Sequence, residues 1–255
     1  MTAPDSTTLL VVAVFFVATL IRSAFGFGEA LIAVPLLAFV LPVKVAAPIA
    51  VLVSITVAAV IVARDWRHVH VRSAARLVLA TLLGIPFGLL LLRMAPESLV
   101  KAILGLVVAA FAVVALRGGA SYALKDDRFA WLFGVSAGVL GGAYGMNGPP
   151  LVMYGALRRW SPEQFRATLQ GYFLPASLVG MLGYYAAGLW TPVVTRHYLH
   201  TLPAALLAIG LGRAINRRFD ERRFFVYVYA GLIASGAGLL LQAALTWTAT
   251  QPPGP

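Results

Sequence analysis

The sequence predicts an all-α, polytopic membrane protein on three observations. There is too little charge for a hydrated shell, several apolar runs are long enough to cross a bilayer, and basic residues gather in the gaps between them. Hydrophobic residues make up 60% of the 255 positions and charged residues 11%, with a mean hydropathy of +0.87. A soluble domain carries roughly 25% charged residues to hydrate its surface, so lipid must cover much of this one. The formal charge of +11 does not mark nucleic-acid binding, because the cations sit in short loops, as the positive-inside rule requires. The chain holds no cysteine, which excludes disulfides, thiolate metal sites and thiol redox chemistry. His68, His70, His197 and His200 fall in or beside predicted loops at no metal-ligand spacing, so neither metal nor cofactor is expected. Met1–Ser6 lacks a basic n-region and no small-residue cleavage site follows; the first apolar stretch is therefore read as part of the mature chain.

A helix needs about 20 apolar residues to cross a ~30 Å hydrocarbon core. Val45–Ala63, Ala74–Leu92, Leu99–Leu116, Ala167–Leu189, Tyr198–Leu211 and Phe224–Trp247 read as spans, the fifth of them short. Four shorter segments form two pairs, Leu9–Ile21 with Ala30–Val40 and Phe129–Leu140 with Pro150–Leu157. Each pair flanks a Gly-rich break, and each is followed by three spans. Phe25-Gly26-Phe27-Gly28 aligns with Tyr144-Gly145-Met146-Asn147, so the expected architecture is two repeats, about residues 7–117 and 128–247, in one membrane domain covering 1–255. An odd number of segments per half makes the second repeat inverted. Whether each short pair spans or re-enters stays open, since both return the chain to its starting side.

Charge placement supports the inversion. With the Arg64–Arg76 loop in the cytoplasm, that side also receives the cations of Arg117–Arg128, Arg158–Arg166 and Arg213–Arg223. The outer side receives only Lys44, Arg93, Lys101 and Arg196. This asymmetry predicts both termini outside a cell (inner) membrane.

Broken backbone within a membrane survives only where protein or a water-filled cavity satisfies it. Inverted halves with Gly/Pro-interrupted helices therefore point to a transporter's binding site at the breaks. A helix that starts at a break offers free N–H donors and about half a positive charge, which suits an anion. The candidate substrate-binding residues are Arg22, Phe25, Gly26, Phe27 and Gly28 at the first break, and Tyr144, Gly145, Met146, Asn147, Gly148 and Pro149 at the second. Gln170, on the following helix, is the last of them. The alternative is that these glycines and prolines only allow close helix packing.

Arg22 and Glu29 are the acid and base set apart from the loops. A charge at the bilayer centre costs roughly 2.5–3.5 kcal/mol and normally faces a cavity or a partner. Arg22 is expected to face the substrate anion and Glu29 to hold a coupling proton; a structural ion pair between them is the plainer reading, and the two are compatible. Arg166 reads as an interfacial anchor. Ser54 and Thr56 rank low, because each hydroxyl can bond its own helix backbone.

At these segments the sequence resembles the TauE/SafE family of sulfite and organosulfonate transporters. The likeness rests on Arg22-Ser-Ala-Phe-Gly-Phe-Gly-Glu-Ala-Leu-Ile-Ala-Val-Pro35 and Gly145-Met-Asn-Gly-Pro-Pro-Leu-Val-Met-Tyr154, with Phe165-Arg-Ala-Thr168 and Leu211-Gly-Arg213 agreeing further along. Glu29 and Asn147 stand where many members have glycine. The resemblance implies a permease or exporter for sulfite, sulfonates or related small anions, coupled to protons or another ion and working by alternating access, and not an enzyme. The expected partners are that anion and membrane lipid; a homo-oligomer is left open. An anion channel is the nearest rival reading. An intramembrane enzyme lacks a nucleophile–base pair, and no Walker A sequence suggests ATP-driven transport.

Overall fold

Every described element is a helix. The computed structural model describes residues 5–65, 71–117, 124, 126–215 and 221–250. His68, His70, Arg217, Arg218 and the tail Gln251–Pro255 lie outside them. The helices are α1 (Ser6–Phe25), α2 (Glu29–Leu37), α3 (Val43–Asp65), α4 (Val71–Met94), α5 (Glu97–Leu116), α6 (Ala130–Tyr144), α7 (Gly148–Leu157), α8 (Pro162–Ala186), α9 (Pro192–Ile215) and α10 (Glu221–Thr250). Among the described residues five are long and apolar enough to cross a membrane, within α1, α3, α4, α5 and α10. The 25 residues of α8 and the 24 of α9 also have the length. The chain is a multi-pass membrane protein.

Two lengths correct the sequence reading. The first helix was expected to be short, ending at Ile21. It runs 20 residues to Phe25, about 30 Å at 1.5 Å per residue. The apolar run stops at Arg22, but the helix continues because Arg22 finds its partners inside the protein. Likewise α9 is a full-length helix rather than a short one, since its polar first turns fold as helix too. The true half-length elements are α2, with 9 residues, and α7, with 10.

Local chemistry sets the ends. Asp5 caps α1 by accepting from the Thr8 amide at 2.9 Å and from the Thr8 hydroxyl. These hydrogen bonds, Thr8's side chain first, hold its carboxyl below the ordinary range. Ser161 and Gln164 form a reciprocal capping box on α8, satisfying two donors that the helix start would orphan.

Helix packing is by close backbone approach. On α4, Gly84 and Gly88 face Gly138 and Gly142 of α6; a Cβ on Gly84 would lie 2.1 Å from the Val135 carbonyl oxygen. Small residues serve membrane interfaces this way, because lipid offers no hydrophobic drive for helix association. Further contacts join α1 to α9, α5 to α10, α3 to α8 and α9, and α4 to α8. Large apolar side chains such as Leu83, Phe87, Leu182 and Leu207 are turned outward.

Polar contacts close the two ends separately. At one end Asp127 accepts from Tyr154 (2.6 Å) and pairs with Arg158 and Arg76 (3.2 Å each), beside Ser73. Burial pushes this carboxyl up, but Tyr154, Arg158, Arg76 and Ser73 together hold it below the ordinary range. At the other end Asp5 pairs with Arg196 at 3.1 Å. Glu97 there accepts from the Val43 amide at 2.8 Å, and Lys44 donates to the Arg93 carbonyl at 3.1 Å.

Candidate substrate-binding site

The first break is made by two left-handed glycines. Gly26 (φ 92°) terminates α1 and Gly28 (φ 104°) precedes α2, conformations that cost other residues about 1–2 kcal/mol. The second break needs one such residue, Gly145 (φ 65°), after which Asn147 leads into α7 in ordinary backbone geometry. Neither Gly28 nor Asn147 caps its helix with a side chain; α2 thus starts on uncapped amides, whereas in α7 Pro149 and Pro150 carry no N–H and Gly148 holds the one amide of its first three residues.

Each break packs against the other half. A Cβ on Gly26 would meet Arg166 Cγ at 2.7 Å, and one on Gly145 would meet the Ala47 carbonyl oxygen at 2.8 Å. Between the breaks lies a small pocket, partly open to its surroundings. Its lining comprises Arg22, Gly28, Glu29, Ala30, Leu31, Ser54, Gly145, Met146, Asn147, Gly148 and Phe173. Ser54 is the middle residue of α3, and Phe173 lies near the middle of α8.

Arg22 is the hub, 3% exposed. Its Nη1 donates to Glu29 Oε2 and, at 2.8 Å, to Ser54 Oγ; its Nη2 donates to Gln170 Oε1 at 2.9 Å. Ser177 donates to Ser54 at 3.3 Å, and the guanidinium carbon stands 4.8 Å from the Phe173 ring centroid, within cation–π range. Gln170 Nε2 donates to the Gly26 carbonyl at 2.7 Å, which fixes its amide orientation and spans the two halves. Among the described residues, Arg22 Nε and Glu29 Oε1 are buried and have no hydrogen-bond partner. Thr19 lies beside the same carboxylate, but its hydroxyl closes no hydrogen bond.

Asn147 builds the opposite wall. Its Nδ2 donates to the Ala137 carbonyl at 3.1 Å and to Tyr172 Oη at 3.3 Å. Tyr172 in turn shares a 2.6 Å hydrogen bond with Thr81. A Cβ on Gly141 would come within 2.3 Å of Asn147 Nδ2, so the glycine makes the room that the asparagine occupies.

Of the candidate residues, Arg22, Gly28, Glu29, Gly145, Met146, Asn147 and Gly148 line the pocket, and Gln170 reaches it through Arg22. Gly26 contributes its carbonyl to Gln170. Phe25 and Phe27 instead meet Phe225, with ring centroids 4.9 and 5.4 Å apart. Tyr144 donates to the Val100 carbonyl at 3.0 Å. None of these three, nor Pro149, lines the pocket. Ser54, ranked low from sequence, binds Arg22 rather than only its own helix. Phe173 was missed, although the offset that carries Gly26 onto Gly145 also carries Ser54 onto Phe173.

Fold and pocket together define a polytopic helical membrane protein with a buried cation where two helix breaks meet. The chain belongs to the family Sulfite exporter TauE/SafE, which it matches over residues 11–239. It is a transporter of that family and not an enzyme. It is similar to the "Probable sulfite/organosulfonate exporter TauE" of Cupriavidus necator, with 27% identity over 236 residues, 88% of this chain and 90% of that one. No solved structure matches the chain significantly.

Proposed function

We propose that this protein moves a small sulfur-containing or organic anion, such as sulfite or a sulfonate, across the inner membrane by alternating access. The observation that carries the reading is Arg22, buried in the pocket with Nε–H unspent, beside the uncapped start of α2 and the Gly148 amide that opens α7. Donors held in a low-dielectric site bind an anion without the reorganisation that water would need. Gly26, Gly28, Gly145, Met146, Asn147, Gly148 and Gln170 shape this site. Glu29, the acid paired with Arg22, is the proposed carrier of a coupling proton.

Two inverted repeats in one membrane domain supply the moving parts in this reading. Support comes from paired packing: α1 on α9 has its counterpart in α6 on α4, and α3 on α9 in α8 on α4. The cations of the Arg76–Asp127–Arg158 end favour placing that end in the cytoplasm and both termini outside. A cysteine at Asp126 should then label with an impermeant reagent only after the membrane is opened. One at Trp190 should label in intact cells; the reverse pattern would overturn the orientation. For transport itself, purified protein in liposomes should give saturable, gradient-driven flux of sulfite or a sulfonate. Flux that grows linearly with concentration would favour a channel.

A further inference from the structure

One face of α8 is polar where its counterpart in the first half is apolar. Arg166, Gln170, Phe173 and Ser177 recur at helical spacing and so share one side of the helix. Three of them already surround Arg22: Gln170 accepts from it, the Phe173 ring lies under its guanidinium, and Ser177 donates to Ser54. Arg166 stands one turn nearer the start of α8, about 6 Å along the axis from Gln170, and that start follows the Asp127-bound end of α7. The offset that lays Gly26 on Gly145 lays Ala47, Val51 and Ser54 of α3 on Arg166, Gln170 and Phe173, and Ala58 on Ser177. The packing matches. A Cβ on Gly26 would meet Arg166, and the Gly26 carbonyl accepts from Gln170; a Cβ on Gly145 would meet Ala47 and Val51. Alanine therefore suffices to seat a break glycine, and the guanidinium of Arg166 is not needed for that packing.

The charge of Arg166 is unspent. Arg76 and Arg158 hold Asp127, and Arg128 holds Asp126, but no described residue forms an ion pair with Arg166, which is half-buried. An interfacial anchor would turn away from the protein toward headgroups. The stem of Arg166 instead crosses the first break, with Cβ and Cγ against buried Gly26. A partly desolvated cation without a partner carries a cost that an arriving anion removes. We infer that Arg166 is a second anion-binding residue, which receives the substrate on the Asp127 side of the pocket and passes it along the α8 face to Arg22. The first half offers no equivalent, since Ala47 stands at the matching position, so capture by this route is one-sided. This rests on the transport reading above and adds a loading site to it.

The test is sulfite uptake into inverted and right-side-out membrane vesicles that hold the full chain. A cysteine at Asp126 assigns the face that carries the Asp127 end. Glutamine and lysine both keep the Cβ and Cγ that meet Gly26, so Arg166→Gln removes the charge but not that contact, and Arg166→Lys keeps both. At the Asp127 face Arg166→Gln should raise KM by about fivefold or more with Vmax within about twofold, the mark of lost capture and not of lost turnover. At the opposite face its KM should stay within about twofold, as should that of Arg166→Lys at both faces. Unchanged KM in Arg166→Gln, an equal rise at both faces, an equal rise in Arg166→Lys, or saturable uptake from the opposite face alone would each overturn the inference and leave the transport reading standing. No saturable sulfite uptake by the unaltered protein at either face would overturn both. Arg166→Ala, with the residue found at the matching position 47, is the second neutral variant. If neither neutral variant folds, Arg166 is structural and the inference falls.

Discussion

The two breaks share a backbone solution and divide the chemistry between them. Both end a helix on a left-handed glycine, both pack that glycine against the opposite half, and both open a half-length helix onto one pocket. Carrying the register of Gly26 on Gly145 along the chain sets Arg22 against Gly141 and Glu29 against Gly148. The first break thus carries a buried ion pair where the second carries two glycines. Asn147 folds back into the space that Gly141 leaves. Had both halves kept Arg22-like cations, two buried charges would have needed partners in one cavity, at several kcal/mol each. Confining charge to one half leaves the other free to set shape.

The largest expected effect falls on the charged break. Removing one partner of a buried pair costs about 3–5 kcal/mol because the survivor is left uncompensated. Arg22→Gln and Glu29→Gln should each lower folded yield and thermal midpoint in detergent. The double variant should recover much of that loss while failing to bind anion. A double variant that transports with unchanged pH dependence would make the pair purely structural and remove the proposed roles of both residues.

The glycines come next, and the two breaks should differ. Alanine at either position meets the left-handed penalty of about 1–2 kcal/mol. At Gly26 the added Cβ meets Arg166 Cγ, part of a flexible side chain. At Gly145 it meets the Ala47 carbonyl oxygen and Val51 Cγ2 at 2.8 and 2.9 Å, and backbone cannot step aside. Gly145→Ala should therefore destabilise more than Gly26→Ala. Equal melting shifts would break the argument that packing, beyond φ, decides these positions.

An effect of comparable size is expected where α7 is moored. Tyr154 and Arg158 both bind Asp127, which also holds Arg76 of α4. Asp127→Asn should cost roughly 1.5–3 kcal/mol, the range for hydrogen bonds to a charged group. Its carboxyl is held below the ordinary range. The stabilisation is therefore present above the ordinary carboxylate pKa and is lost as pH falls through the lowered folded value. Melting curves in acid should converge for the variant and the unaltered protein; a constant gap down to the lowest pH would contradict the assignment.

The membrane class, the breaks and the Arg22–Glu29 pair were legible in the sequence, because apolar runs, glycines and a charge among them leave local signals. The helix end at Phe25 was not, since a hydropathy window stops at Arg22 and cannot know that Ser54 and Gln170 neutralise its cost. The packing of Phe25 and Phe27 against Phe225 was equally hidden: an aromatic beside a glycine break looks the same whether it faces a ligand or a distant helix. Partners far apart in the chain, such as Arg22 with Gln170, become visible only when the halves are placed together. The offset that lays Gly26 on Gly145 would have pointed to one more site residue, since it lays Ser54 on Phe173.

The smallest expected change in stability is also the cleanest probe of the pocket. Gly148 is the first residue of α7, and a Cβ built there meets nothing within 4 Å. Its backbone is not in the left-handed region, but it stands before Pro149, which disfavours helical backbone in a residue that carries a Cβ. This offsets the roughly 0.4–1 kcal/mol that reduced chain entropy in the unfolded state would contribute, so alanine should leave stability nearly unchanged. The residue also lines the pocket, so the new methyl would take space at the start of α7. Gly148→Ala should melt at nearly the same temperature as the unaltered protein, yet bind sulfonates more weakly, and Gly148→Val should weaken binding further. This separates stability from binding in a way that no substitution at Gly26 or Gly145 can. If Gly148→Ala and Gly148→Val both keep full affinity, the anion does not approach the second break, and the comparison between the breaks reduces to one of packing.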